Sequence, residues 1–167
     1  MRYDRSPRKD STHLDEVWEL KQQIRRKEGY LCQTWDFFSS SYKNNTAHVI
    51  LDGGDERTNG GRGEERVVGF CVVRGDGYIL FLGIASDYRG RGLGRTLVEK
   101  AGEDHNVLTC HARASNENAV GFYKHLGFEV DRYVDSYYQN GEDAVYMSRD
   151  DSVSLRSKIT DALKGED

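Results

Sequence analysis

The run Tyr78-Ile79-Leu80-Phe81-Leu82-Gly83-Ile84-Ala85-Ser86-Asp87-Tyr88-Arg89-Gly90-Arg91-Gly92-Leu93-Gly94 decides the fold. Tyr78 to Ala85 is apolar throughout, as expected of a central strand covered on both faces. Upstream, Val67 to Val73 is a second β-rich run, joined to the first by the hairpin signal Gly75-Asp76-Gly77. Downstream, Gly92 to Asn106 reads as a helix with Leu93, Leu97, Val98 and Ala101 on one face. Arg89 to Gly94 therefore lies between a strand and a helix N-terminus. Glycines there let the backbone approach a ligand and expose successive N–H groups, and the helix adds its positive end. Arg89 and Arg91 can add charge-assisted contacts, so the loop suits phosphate oxygens. No Gly-Lys-Ser/Thr follows, which excludes the triphosphate P-loop. The dinucleotide fingerprint fits badly too, because its glycine spacing differs and it opens a βαβ unit, whereas this loop follows a hairpin. On these residues alone, a tight strand-to-helix turn without a ligand stays open.

Working outward, His13 to Lys27 predicts an amphipathic helix with Leu14, Val17, Trp18, Leu20 and Ile24 on its apolar side, stopped by Gly29. Tyr30 to Tyr42 is aromatic-rich without a clean period, so a short helix or a loop lining a cleft both fit. Thr46 to Leu51 reads as a strand. Asp52 to Arg66 holds five glycines among charges and no aliphatic residue, the composition of a flexible loop. Beyond the glycine loop, Val107 to Ala112 predicts a strand, and Asn116 an N-cap for a helix from Glu117 to Leu126, with Gly127 at the C′ position. Phe128 to Tyr133 and Ala144 to Met147 read as strands around the polar connection Asp135 to Asp143. Residues 1–12 are expected to be a flexible tail and 13–150 the domain; 151–167 form a tail or a short helix carrying Leu155, Ile159 and Leu163.

The 167 residues suffice for one domain with a proper core. With 37% hydrophobic and 31% charged residues, the class is soluble and globular, and a net charge of −4 argues against nucleic acid as the main partner. Arg2, Arg5, Arg8 and Lys9 are interrupted by Asp4 and Asp10, which favours a solvated tail over an RNA- or ribosome-touching arm. Cys32, Cys71 and Cys110 lack CxxC spacing and are odd in number; a reducing compartment, the cytoplasm, and no metal are expected. No apolar stretch nears the roughly 20 residues that span a bilayer, so no membrane association is expected.

The segment from Val67 to Met147 resembles the GCN5-related N-acetyltransferase (GNAT) superfamily. The likeness rests on R-x-x-G-x-G as Arg89 to Gly94 after a hairpin-fed strand, on Asn116 ahead of a helix containing Phe122-Tyr123, and on Leu126-Gly127-Phe128. It implies an α/β fold, a mixed and mostly antiparallel sheet flanked by helices, with splayed central strands. It also implies acetyl-CoA as co-substrate. Its pyrophosphate would lie on Arg89, Gly90, Arg91, Gly92, Leu93, Gly94 and Arg95, and its pantetheine arm beside Ile84 and Ala85. Asn116 and Tyr123 would complete the cofactor site.

Two further stretches narrow the resemblance. Ala112-Arg113-Ala114-Ser115-Asn116 is similar to the R-x-S-N stretch of ribosomal-protein and protein N-terminal acetyltransferases. Tyr137-Tyr138-Gln139-Asn140-Gly141-Glu142-Asp143-Ala144 is similar to the YY-x-x-GEDA hairpin of the same subgroup. That likeness implies that Tyr137 and Tyr138 bind a peptide N-terminus; a plain polar hairpin is the alternative. His111 with Tyr78 resembles the NatE pair and implies an amine base, acting directly or through a water. Tyr123 would protonate the departing sulfur, and a backbone N–H near Ile84 or Ala85 would polarise the thioester carbonyl. The familiar substrate loop after the first helix is missing, with Trp35-Asp36-Phe37-Phe38 in its place, so the acceptor stays open. Lysine side chains or small amines are the alternative acceptors, and a non-catalytic acyl-CoA-binding module is a third reading. His13, His48, His105 and His125 are expected at the surface or in packing. Oligomeric state is not legible.

Overall fold

The computed structural model describes residues 1–53, 64–152 and 163. The fold is mixed α/β, with antiparallel sheets and helices, and divides into two compact units: Met1–Gly75 with Leu80–Ala101, and Asp76–Ile79 with Gly102–Asp167. Most of the expected loop from Asp52 to Arg66, and most of the tail beyond residue 150, lies outside the described residues.

The first unit is built on strands β1 (Arg2–Ser6), β2 (Thr46–Asp52), β3 (Arg66–Val73) and β4 (Ile79–Ile84), hydrogen-bonded in that order. Helices α1 (Leu14–Glu28), α2 (Trp35–Asn44) and α3 (Leu93–Gly102) complete it. The periodic residues of α1 do what their spacing predicts: Leu14, Val17, Leu20 and Ile24 are buried in one core with Phe38, Phe70 and Phe81. Gly29 ends the helix in left-handed backbone, φ +74°. The aromatic stretch resolves as helix α2, because Thr34 caps it by accepting from the Phe37 N–H at 3.4 Å. Its Phe38 and Tyr42, four residues apart, are buried, and the Phe38 ring lies 4.9 Å from that of Phe81.

Two expectations need correction here. Residues 2–6 are not a tail: β1 pairs antiparallel with β2, Arg2 opposite Leu51 through Ser6 opposite Ala47. A polar edge strand gains its stability from ladder hydrogen bonds, which composition does not report. Nor is β4 a central strand of its sheet. It is the last strand of its sheet, with Ile79, Phe81 and Gly83 buried and Leu80, Leu82 and Ile84 half-buried. An unbroken apolar run records two apolar faces, not the strand's place in the sheet.

The second unit is a three-stranded antiparallel sheet of β5 (Val107–Arg113), β7 (Ala144–Asp150) and β6 (Glu129–Val134), ordered β5-β7-β6, with helix α4 (Glu117–His125). Asn116 caps α4 as expected, its Oδ1 accepting from the Ala119 N–H at 3.1 Å. Gly77, at φ +88°, brings residues 76–79 onto β5: its carbonyl accepts from the Thr109 N–H at 3.1 Å, and Tyr78 bridges Thr109 in parallel.

Charge intrudes on the first unit's core at Lys21, on the buried side of α1. Its ammonium donates to the Gln33 carbonyl at 2.8 Å and lies 4.6 Å from the Trp18 ring centre, a cation–π contact. Burial, with Arg25 adding to it, lowers its pKa to about 8. An unfolded lysine titrates near 10.4, so the folded state sheds its proton first and gains stability as pH rises from about 8 to that value. Lys21→Met should abolish this rise, worth at most about 3 kcal/mol at 1.36 kcal/mol per unit. Denaturant midpoints of both proteins between pH 7 and 10.5 check it; parallel curves refute a depressed lysine.

Candidate active site

In the first unit, β4 runs through a short turn, Ser86–Tyr88, into the glycine loop. Gly90 and Gly92 have φ of +74° and +78°, backbone that L side chains rarely adopt, and among the described residues no atom beyond their chain neighbours lies within 4 Å of where either Cβ would stand. The loop is thus open as well as glycine-dependent. Gly92 starts α3, its carbonyl accepting from the Thr96 N–H at 3.0 Å. The first-turn amides of a helix, here those of Leu93, Gly94 and Arg95, lack intrahelical carbonyl partners, the general basis of anion binding at a helix N-terminus.

The two loop arginines are held differently from a pair of free cations. Arg89 pairs with Glu28 at 2.5 Å and donates to the Ile84 carbonyl at 3.2 and 3.3 Å. Arg91 donates to the Asp87 carbonyl at 3.2 Å and stacks on Tyr88, 4.8 Å from its ring centre. Tyr88 in turn donates to Asp52 and accepts from Arg66 Nη2 at 3.0 Å, tying the loop to the ends of β2 and β3. One polarising group is corrected: the Ala85 N–H donates to the Val68 carbonyl at 2.8 Å and is not available. Successive strand amides point to opposite sides, so the Ile84 N–H faces away from β3, toward the open edge of its own sheet.

In the second unit, strand alternation places His111 and Arg113 on one face of β5, and Cys110 and Ala112 on the other. His111 Nδ1 is 2.7 Å from the Tyr78 hydroxyl, a direct bond. The Tyr137 ring stacks on the imidazole with centroids 4.2 Å apart and planes 10° apart; Tyr146 flanks it at 4.9 Å. Burial lowers the His111 pKa below 6.5, and the Arg132 cation adds to the shift. Burial also raises the Tyr78 pKa far above the phenol range, and its hydrogen bond with Tyr137 does the same. At neutral pH the pair is therefore an uncharged imidazole and a protonated phenol.

The opposite face of β5 carries Cys110, which meets α4. Tyr123 on α4 is buried, its ring 5.1 Å from Phe128 and 5.2 Å from Phe122. It hydrogen-bonds Cys110, whose thiol burial pushes up to about 12 and which is therefore un-ionised. Tyr138 lies against Arg113, whose guanidinium is 4.1 Å from its ring centre. Asn116 spends its side-chain oxygen on the α4 cap. Among the other histidines, His48 is a buried packing residue bonded to the Tyr3 hydroxyl at 2.7 Å, and His13 pairs with Asp4 at 2.9 Å. The sequence reading missed the Tyr137 stack on His111 and the contacts of Arg113. The only prior signal was that these residues fell inside the two narrow motifs. Among the described residues no group of three metal-ligating side chains occurs.

The depressed His111 has a stability signature. Its neutral form is favoured by folding, so its contribution is present above pH 6.5 and is lost as pH falls through the lower folded value. A proton NMR titration should place the His111 ring below 6.5, with the titration vanishing in His111→Ala. A value above 6.5 refutes the buried, neutral imidazole.

A profile of the acetyltransferase (GNAT) domain matches residues 54–130. A Bacillus subtilis protein provisionally named ribosomal protein bS18-alanine N-acetyltransferase is 37% identical over 90 residues, which span 48% of this chain and 60% of that protein. Peptidyl-lysine N-acetyltransferase YjaB of Escherichia coli is 37% identical over 99 residues, 58% of this chain and 67% of its own length. The solved structure of Arabidopsis thaliana NAA60 in complex with acetyl-CoA matches with a TM-score of 0.62 at 20% identity, over 89% of this chain and 99% of that one, and so shares the fold. With this profile match and these relatives, the chain belongs to the GNAT acetyltransferase family.

Proposed function

We propose that the chain is an acetyl-CoA-dependent N-acetyltransferase that acts on the α-amino group of protein N-termini. The observation that carries the reading is the uncharged His111 bonded directly to Tyr78 beneath the tyrosines of the β6–β7 connection.

The glycine loop fits the co-substrate. Gly90 and Gly92 leave open backbone where side chains would intrude, and the first-turn amides of α3 offer donors to pyrophosphate oxygens. Arg91 and Arg95 bring positive charge, while Arg89 braces the loop through Glu28 and Ile84. Bound acetyl-CoA supplies a thioester whose C–S bond breaks as the N–C bond to the amine forms.

The chain's own residues handle the protons. In the tautomer that leaves His111 Nε2 basic, Nδ1–H donates to the Tyr78 oxygen, and Tyr78, kept protonated, donates onward. Nε2 then takes the proton of the attacking amine. The Tyr123 hydroxyl holds a proton for the departing sulfur, in a pocket where Cys110 stays neutral and does not compete as a nucleophile. The Ile84 N–H is the donor left to polarise the thioester carbonyl.

The weak base selects the amine. An α-amine titrates near 7.7–8.0 and lysine near 10.4, so deprotonating the chain end is cheaper by about 3 kcal/mol at neutral pH. A His111 held below 6.5 suits the smaller task. The two relatives named above differ in acceptor, one by name acting on an alanine of bS18 and the other on peptidyl-lysine.

Two measurements test the reading. Gly92→Val forces a β-branched side chain into φ +78° and should raise the acetyl-CoA dissociation constant at least tenfold, about 1.4 kcal/mol, by calorimetry on folded protein. Unchanged affinity removes the cofactor assignment. Separately, a short peptide with a free N-terminus should be acetylated, and the same peptide with its α-amine blocked and an internal lysine present should not. His111→Ala and Tyr123→Phe should each lower kcat roughly 100-fold with acetyl-CoA affinity kept. Efficient acetylation of the lysine on the blocked peptide would transfer the assignment to side-chain amines.

A further inference from the structure

Arg113 stands two residues beyond His111 on β5 and shares its face. Its side chain is only 16% exposed. From there the guanidinium reaches three groups of the β6–β7 connection: Glu142 Oε2 at 2.5 Å, Asn140 Oδ1 at 3.4 Å and the Tyr138 ring at 4.1 Å. The connection has its own frame. Gly141 N–H donates to the Tyr138 carbonyl, Tyr138 N–H to the Glu142 carbonyl, and Ala114 N–H to the Asp143 carbonyl, all at 2.9–3.1 Å. Within that frame the Tyr138 ring meets Tyr137 edge-on at 5.1 Å, and Tyr137 lies flat on His111. Contacts thus run without a gap from Arg113 through Tyr138 and Tyr137 to the imidazole.

We propose that Arg113 is a positioning residue whose grip on the β6–β7 connection holds Tyr137 against the face of His111 and so sets the entrance that an acceptor amine must pass. The idea rests on His111 as the amine base. Arg113 acts on the imidazole through the two tyrosines. A planar guanidinium suits this work because its edge can bind a carboxylate while its face lies on a ring, which an ammonium cannot do at once.

The groups around His111 are Tyr78 at Nδ1, Tyr137 and Tyr146 at the ring, and the Arg132 cation acting through space. Removing Glu142 separates geometry from charge. Loss of a carboxylate by itself disfavours the imidazolium and moves the titration down. Release of Tyr137 exposes the ring to water, relieves the burial that depresses it, and moves the titration up.

The test is a proton NMR titration of His111 in wild type, Arg113→Gln, Glu142→Ala and the exchanged pair Arg113→Glu with Glu142→Arg, with steady-state kinetics on the free-N-terminus peptide alongside. Both single variants should shift the His111 titration upward toward 6.5 and raise peptide KM about tenfold while acetyl-CoA KM stays within twofold. The exchanged pair should recover part of both effects. Glu142 lies in an exposed turn, so Glu142→Ala decides the matter even if Arg113→Gln does not fold. A downward shift in Glu142→Ala, or none, overturns the proposal, as does an equal rise in both KM values. The titration needs no turnover: an unmoved ring with peptide N-terminal acetylation intact rejects the grip alone, and a moved ring with lysine as the true acceptor rejects the acceptor alone.

Discussion

A methyl group on Gly77 would stand 2.1 Å from the Val107 carbonyl oxygen, far inside any van der Waals contact. That close approach is what the second unit's site depends on. Because residue 77 has no side chain and adopts φ +88°, its carbonyl reaches the Thr109 N–H, and Tyr78 falls into register beside β5. Only then is the Tyr78 hydroxyl within 2.7 Å of His111 Nδ1 across 33 residues of sequence. The turn chemistry of Gly75-Asp76-Gly77 therefore does more than reverse the chain. The Asp76 carboxylate also accepts from the Tyr78 N–H at 3.2 Å, fixing the residue that follows the glycine.

Once the pair is assembled, burial decides its charge state. Desolvation disfavours both imidazolium and phenolate, so it lowers His111 and raises Tyr78 without any counter-ion. The two opposed shifts leave the pair neutral at rest, an unprotonated ring nitrogen beside a protonated phenol. The same logic governs the other face of β5, where burial keeps the Cys110 thiol un-ionised beside Tyr123.

How far the sequence was legible follows from which residues carry local information. The Arg89–Gly94 loop was readable because left-handed backbone and an open helix terminus demand glycine, and Gly90 and Gly92 have that backbone. The periodic faces of α1 and α3 were readable because burial repeats with the helix. Strand β1 was not: its residues Arg2 to Ser6 are polar, and the bonds that hold them run to β2, more than forty residues away. Lys21 was unreadable for a related reason, since its Gln33 carbonyl and its Trp18 and Phe38 rings come from separate turns of chain. The His111–Tyr78 pairing emerged only through likeness to a family, and the resemblance said nothing of Tyr137 lying flat on the imidazole. Ala85 shows the opposite failure, a residue rightly placed at the end of β4 whose amide is already bound to Val68.

An amine base has to be dry enough to stay neutral and open enough to meet its substrate. Full burial of His111 would satisfy the first need and defeat the second. In the role proposed for His111 the two needs are met by aromatic cover: Tyr137, itself 44% exposed, stacks on one face of the ring. Flat stacking alone is a weak restraint, worth about 0.5–1.5 kcal/mol beyond the area it buries. The connection that bears Tyr137 must therefore be held by something stronger. Its turn bonds and the charged contact between Arg113 and Glu142 supply that hold, from the same strand that carries the base.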